Sequence, residues 1–187
     1  MIDRLAGFAS RPGGIAVIGL WAAAEAIVLP IVPDVGVCLL LLAAPRRLAP
    51  LFLSVVAGAL AGTVLLAAMT AAAPAATRSM LQALPGIDPT MLSQADAVLA
   101  DRGVAAFGQL GPGAPLKVYT EAWVRRGGDT PGLLAGTVLN RLTRLGPAMV
   151  VAAALGWLLA GWIRRYARWV LVAYGLLWIV VYAVYLA

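Results

Sequence analysis

The chain of 187 residues has no histidine and a single cysteine, Cys38. Without histidine there is no Ser-His-Asp triad, no His-based zinc-protease motif and no haem held by an imidazole. One cysteine excludes an intrachain disulfide and a cysteine-based metal cluster. Charge is also scarce. Asp, Glu, Lys and Arg make up 12% of the residues, about half the usage of ordinary soluble domains. Acidic residues are fewer than basic ones, 8 against 14, which leaves a formal charge of +6. No RNA-recognition, zinc-finger or other nucleic-acid signature accompanies that excess, so nucleic acid is not the expected partner. In an apolar chain the same excess speaks to topology and to anionic lipids. No residue set for a cofactor or a metal emerges, and no enzymatic activity is expected.

What the chain has in abundance is hydrophobic sequence. Sixty-three per cent of it is hydrophobic and the mean hydropathy is +0.93. Apolar runs of about 20 residues recur, which predicts an all-α polytopic membrane protein forming a single membrane domain over residues 1–187. Residues 1–14 carry Asp3, Arg4, Arg11 and the breaker Pro12-Gly13-Gly14. They resemble the leading part of a signal peptide, but apolar sequence resumes after Glu25 with no polar mature start, so cleavage is not expected.

Residues 15–44 are long enough to span, yet Glu25, Pro30, Pro33 and Asp34 lie near the middle. Proline removes a backbone donor and breaks a helix interior. Two half-helices, 15–29 and 35–44, each about 15–22 Å long, fit better than one straight span and predict a re-entrant hairpin. A proline-kinked spanning helix is the alternative. Residues 48–73 read as a spanning helix containing Gly58-x-x-x-Gly62. That spacing permits close helix packing, preferentially within the chain, with a homodimer as the other use. Residues 75–101 are more polar, with turn signals at Pro85-Gly86 and Asp88-Pro89. They predict two short amphipathic helices at the membrane interface, the second capped by Asp88 or Thr90.

Residues 103–128 repeat the design of the first broken segment. A short apolar piece meets Gly111-Pro112-Gly113-Ala114-Pro115, and Lys117 and Glu121 follow. Residues 133–162 form the helix carrying Arg141 and Arg144, and residues 169–186 form a last span with Trp and Tyr near its ends as interface anchors. The pattern is a broken hairpin followed by a transmembrane helix, twice, plus a C-terminal transmembrane helix. Placing Arg46, Arg47, Arg164, Arg165 and Arg168 in the cytoplasm follows the positive-inside rule and orients the two hairpins oppositely, as in an inverted repeat. Arg125 and Arg126 then lie outside, against that rule.

The stretch Asn140-Arg141-Leu142-Thr143-Arg144 lies inside an apolar run. Arginine does not shed its charge in a protein, and at membrane depth such a residue costs about 2.5–3.5 kcal/mol on insertion scales. Its usual place is therefore a polar interior. Glu25, Asp34 and Glu121 supply compensating charges, Lys117 adds a third cation, and an incoming phosphate could compete for the arginines through paired guanidinium bonds. Simpler uses of the same residues stand beside this one. Glu25 and Arg141 could be a purely structural buried pair, Lys117 and Glu121 could pair with each other at i,i+4, and Asp34 after Pro33 could cap the helix that follows.

Glu25-x4-Pro30-x2-Pro33-Asp34 resembles the acidic, proline-containing first motif of the DedA superfamily, also known as the SNARE-associated or VTT domain. The sequence from Gly103 through Phe107, Gln109, Pro112 and Pro115 to Lys117, followed by the arginine-bearing helix, resembles the second. Gln109 and Lys117 stand where many members carry arginine, and Trp123 replaces a common glycine, as in a divergent bacterial member. The resemblance implies a multi-pass inner-membrane protein with two opposed re-entrant hairpins broken at Pro30, Pro33, Pro112 and Pro115. It implies movement of a phosphate-bearing lipid, a polyprenyl phosphate or a phospholipid, by a transporter, flippase or scramblase. Lipid phosphate would be bound by Arg141, Arg144 and Lys117, and Glu25, Asp34 and Glu121 would couple protons. A non-catalytic membrane scaffold is the main alternative. A lipid-modifying enzyme is disfavoured, since Asp88, Asp96 and Asp101 are irregularly spaced and no histidine nucleophile exists.

Overall fold

Prolines and glycines set the helix boundaries. Pro12, Pro74, Pro89 and Pro131 each stand in the first turn of a helix, where a missing N–H costs no hydrogen bond. The computed structural model describes residues 2–109 and 114–186, and all regular structure among them is helical. In order these are α1 (Ile2–Ser10), α2 (Pro12–Ile27), α3 (Asp34–Ala43), α4 (Leu48–Ala72), α5 (Pro74–Gln82), α6 (Pro89–Arg102), α7 (Leu116–Arg125), α8 (Thr130–Asn140), α9 (Gly146–Leu158), α10 (Ala160–Arg165) and α11 (Ala167–Leu186). Short 3₁₀ turns cover Pro45–Arg47 and Gly103–Gly108, and a π turn, Arg141–Leu145, joins α8 to α9.

Three helices are long and apolar enough to cross a membrane: Pro45–Ala72, Thr130–Leu158 and Ala167–Val184. They mark the chain as a membrane protein. The π turn keeps Thr130–Leu158 continuous. Pro147 has no N–H to offer the carbonyl one turn back, and the Gly146 N–H instead bonds the Arg141 carbonyl. Beyond Leu158 the chain kinks at Leu159, so the helix expected over 133–162 stops short and α10 is separate.

Residues 28–33 are not helical, so α2 and α3 are distinct helices rather than one kinked span. They also take different neighbours, α2 lying along α4 and α3 along α9. The first contact is backbone on backbone. A Cβ on Gly58 would sit 1.9 Å from the Gly19 carbonyl oxygen, and one on Gly62 would sit 2.3 Å from that of Ala23. The Gly58-x-x-x-Gly62 stripe is thus used inside the chain. Gly156 does the same for α9, where a Cβ would meet the Leu41 carbonyl at 2.6 Å. On that side Leu41, Leu51, Val55, Leu145 and Met149 fill the core.

A second core gathers Leu81, Leu92, Phe107, Leu116 and Val118 from α5, α6, the Gly103–Gly108 turn and α7. Phe107 anchors it against Tyr119 and Trp123, with ring centroids 5.5 and 5.9 Å apart. The two short helices expected at residues 75–101 are present, and their apolar residues Leu81, Leu92, Ala95 and Leu99 are buried in this core. Asp88, not Thr90, caps α6, its carboxylate accepting from the Thr90 N–H at 2.6 Å. Gly103 ends α6 at φ +52°, in the region that glycine enters without steric cost. The sequence pattern missed α1, which forms in the polar leading stretch and buries Ile2 and Ala9.

Candidate functional site

The π turn sits in the middle of Thr130–Leu158, and Arg144 is the central residue of that span. From here three side chains reach out to both broken segments. Arg141 pairs with the Glu25 carboxylate near the end of α2, and both are buried. Arg144 donates to the Ala114 carbonyl, just before α7, at 3.0 Å. Asn140, buried, donates from Nδ2 to the Phe107 carbonyl at 2.9 Å. Lys117, in the first turn of α7, donates from Nζ to the Leu29 carbonyl at 2.6 Å. That carbonyl lies just past the end of α2, where helix carbonyls lack internal partners and attract cations.

Between these groups lies a cavity of about 310 Å³. Glu25, Asp34, Lys117, Arg141 and Arg144 all line it, together with Pro30 and Pro115. Five of the six charged residues singled out in the sequence therefore meet in one place. Arg144 is exposed at the mouth, whereas Lys117 and Glu25 are buried deeper. The Arg141 Nε is buried and has no acceptor among the described residues. Counted as ionised, two carboxylates face three cations. The arrangement can neutralise most of its own charge and still hold one positive charge in excess, which suits an anion.

Glu121 does not belong to this group. It is fully buried and pairs with Arg78 at 3.3 Å and Arg125 at 3.5 Å, not with Lys117. Arg125 in turn pairs with Asp96 on α6. Glu121 has cations four residues away on both sides, and the fold turns it toward Arg125 and toward α5. The i,i+4 pairing with Lys117 is corrected accordingly. The capping role read for Asp34 is corrected too: α3 begins at Asp34 itself, Pro33 holds the capping position, and no side-chain cap bond forms. Asp34 is thereby left at the start of α3 with its side chain on the cavity. Pro33 is buried but does not line the cavity, and Pro112 lies outside the described residues.

The C-terminal helix contributes what the sequence reading missed. Tyr174, Trp178 and Tyr182 recur every four residues on one face of α11, with neighbouring ring centroids 6.4 and 5.9 Å apart. Tyr182 accepts from the Val32 N–H at 2.8 Å, and Tyr174 donates to the Val35 carbonyl at 2.7 Å. Val32 lies in the break between α2 and α3 and Val35 just after it. Trp178 and Tyr182 form part of the cavity wall. The i,i+4 aromatic spacing is the signal that could have found them.

No protein-family model, no curated protein and no solved structure matches the chain.

Proposed function

We propose that the chain is a membrane transporter or scramblase for a phosphate-bearing lipid, such as a polyprenyl phosphate or an acidic phospholipid, and that the cavity at Arg141 receives the head group. The observation that carries this reading is the convergence of Lys117, Arg141 and Arg144 on one cavity at mid-span, with one cation more than the carboxylates balance. A pair kept only for structure would need Glu25 and Arg141 alone. Arg144 at the mouth would meet the phosphate first, and a planar guanidinium offers two parallel donors to its oxygens. As the phosphate moves inward it would compete with Glu25 for Arg141. Loss of a cationic neighbour in a buried site favours a protonated carboxyl. Lipid entry and proton uptake would then be linked, with Glu25 and Asp34 as the carriers. Glu121, held by Arg78 and Arg125, is not part of that proposal.

The finer architecture belongs to the same reading. Two segments broken at Pro30 and Pro33 and at Pro112 and Pro115 would enter the membrane from opposite sides, as an inverted repeat. The packing supports it. The first half of each broken segment lies on the helix that follows it, α2 on α4 and Gly103–Gly108 on α8. The second half of each lies on the other unit's helix, α3 on α9 and α7 on α4. Broken helices that meet at mid-membrane are a recurrent way to build a substrate site in transporters. The DedA-like motifs at Glu25–Asp34 and Gly103–Lys117 point the same way, to a multi-pass inner-membrane protein.

Reconstitution into liposomes with a fluorescent phospholipid and a fluorescent polyprenyl phosphate tests the proposal. Wild type should move at least one of them, Arg144→Gln should lose most of the flux while inserting normally, and an imposed pH gradient should change the rate. A correctly inserted wild type that moves neither lipid would leave the scaffold reading, in which Glu25 and Arg141 simply hold α2 to the helix behind it.

A further inference from the structure

A second cleft, of about 670 Å³, opens at the far end of the molecule, between α1, the α3–α4 turn and the α9–α10 kink. Arg46 and Arg47 enter it from the turn and Arg164 from α10. These residues are about 120 positions apart in sequence and come to one site only through the fold. None of the three pairs with a carboxylate among the described residues, and no described carboxylate lines the cleft. Its remaining wall is largely apolar, with Ile2, Leu42, Trp157 and Ile163.

We infer that this cleft is a binding site for an acidic diacyl phospholipid, separate from the cavity at Arg141. Position and chemistry both lead to that occupant. Pro45–Ala72 starts at the cleft with Arg46 and Arg47, and Thr130–Leu158 ends at it, with Arg164 following on α10, so the three arginines stand where two spans end. At that level a membrane presents phosphate groups, and basic pockets between helices at the membrane surface take anionic heads. Trp157 and Leu158 on α9 and Trp162 on α10 are exposed beside the cleft and offer an apolar path for acyl chains. A soluble anion would use the arginines but gain nothing from that apolar wall. The site needs only that the chain lie in a bilayer. It holds whether or not the central cavity moves lipid.

The test uses the full chain purified in detergent. Native mass spectrometry follows adducts after incubation with equal amounts of dioleoyl phosphatidylglycerol and dioleoyl phosphatidylcholine. Wild type should retain phosphatidylglycerol in preference to phosphatidylcholine by about tenfold or more, since each arginine near the surface contributes roughly fivefold. The triple variant R46Q/R47Q/R164Q should retain one phosphatidylglycerol fewer per chain than wild type, keeping at most the one that the cavity at Arg141 can hold. R165Q/R168Q, which removes two arginines from the same end but outside the cleft, should keep the preference and the wild-type count. Arg164→Gln alone should fall between them, so the result does not depend on the triple variant folding well. Inorganic phosphate in large excess should not displace the lipid. Parity in wild type, an unchanged phosphatidylglycerol count in the triple variant, equal loss in R165Q/R168Q, or displacement by phosphate would each overturn the assignment.

Discussion

Two buried glutamates in this chain have opposite company. Glu25 is paired with Arg141 beside a cavity that also holds Lys117, Arg144 and Asp34. Glu121, more deeply buried, is flanked by Arg78 and Arg125, with Asp96 completing a set of two anions and two cations. Burying a carboxylate is costly in either place, and in each an arginine offsets the cost. What separates them is the remainder. The Glu121 cluster is balanced and ties α5 and α6 to α7, with Arg78 and Arg125 about one-third exposed. The Glu25 cluster keeps a cation in excess and an open mouth. A buried polar atom without a partner among the described residues occurs in both, Arg141 Nε in one and Glu121 Oε2 and Asp96 Oδ1 in the other. Burial of charge marks both sites, and imbalance beside a cavity marks the one fit for a ligand.

The sharpest way to break this contrast is at the pair itself. Arg141→Ala strands the Glu25 carboxylate in the interior, and unfolding in detergent should show a loss of about 3–5 kcal/mol. The double variant Glu25→Gln with Arg141→Met should recover a good part of that stability without restoring lipid flux. If the single and double variants are equally unstable, the pair is not the dominant interaction at this site. Glu121→Gln comes next. It leaves Arg78 and Arg125 partly solvated, so the expected loss is smaller, about 1–3 kcal/mol, and flux per folded molecule should stay at the wild-type level. A flux defect there would erase the distinction between the clusters. Lys117→Met should do the reverse. It gives up one hydrogen bond to the Leu29 carbonyl, costing about 1–2 kcal/mol, yet it should weaken binding of a lipid phosphate about tenfold or more.

The smallest effect is expected at the surface, where Asp88 caps α6. The Thr90 N–H holds its carboxyl below its ordinary value of 3.8. Because the folded value is depressed, the cap contributes fully above about pH 4 and its contribution fades as the pH falls through the lowered value. The unfolding midpoint of wild type should therefore lead that of Asp88→Ala near neutrality and converge on it in acid. A gap that persists unchanged in strong acid would show that the charge of the cap is irrelevant.

Much of the cavity was legible in the sequence because charge and proline are conspicuous inside apolar runs. Glu25, Asp34, Lys117, Arg141, Arg144, Pro30 and Pro115 all reach it. Partners were harder to read. Glu121 has Lys117 four residues before and Arg125 four residues after, and helix spacing cannot choose between them. The choice is made by α5 and α6, which bring Arg78 and Asp96 to the Arg125 side. The aromatic face of α11 was hidden for another reason: a helix apolar all round has no polar face to say which way it turns. Tyr182 and Tyr174 settle its orientation through hydrogen bonds to a break more than a hundred residues earlier in the chain. The π turn was equally hidden, since it arises where Pro147 meets a helix that must keep going.

Flux in matched vesicles decides whether the unbalanced cluster, and not the balanced one, handles lipid phosphate. Wild type, Arg144→Gln and Glu121→Gln are reconstituted at equal inserted amounts, and transfer of a fluorescent polyprenyl phosphate or acidic phospholipid is followed over time. Glu121→Gln should match wild type and Arg144→Gln should lose at least about tenfold, the scale of one charge-assisted contact to phosphate. Equal flux in all three, or a loss confined to Glu121→Gln, would contradict this division of roles.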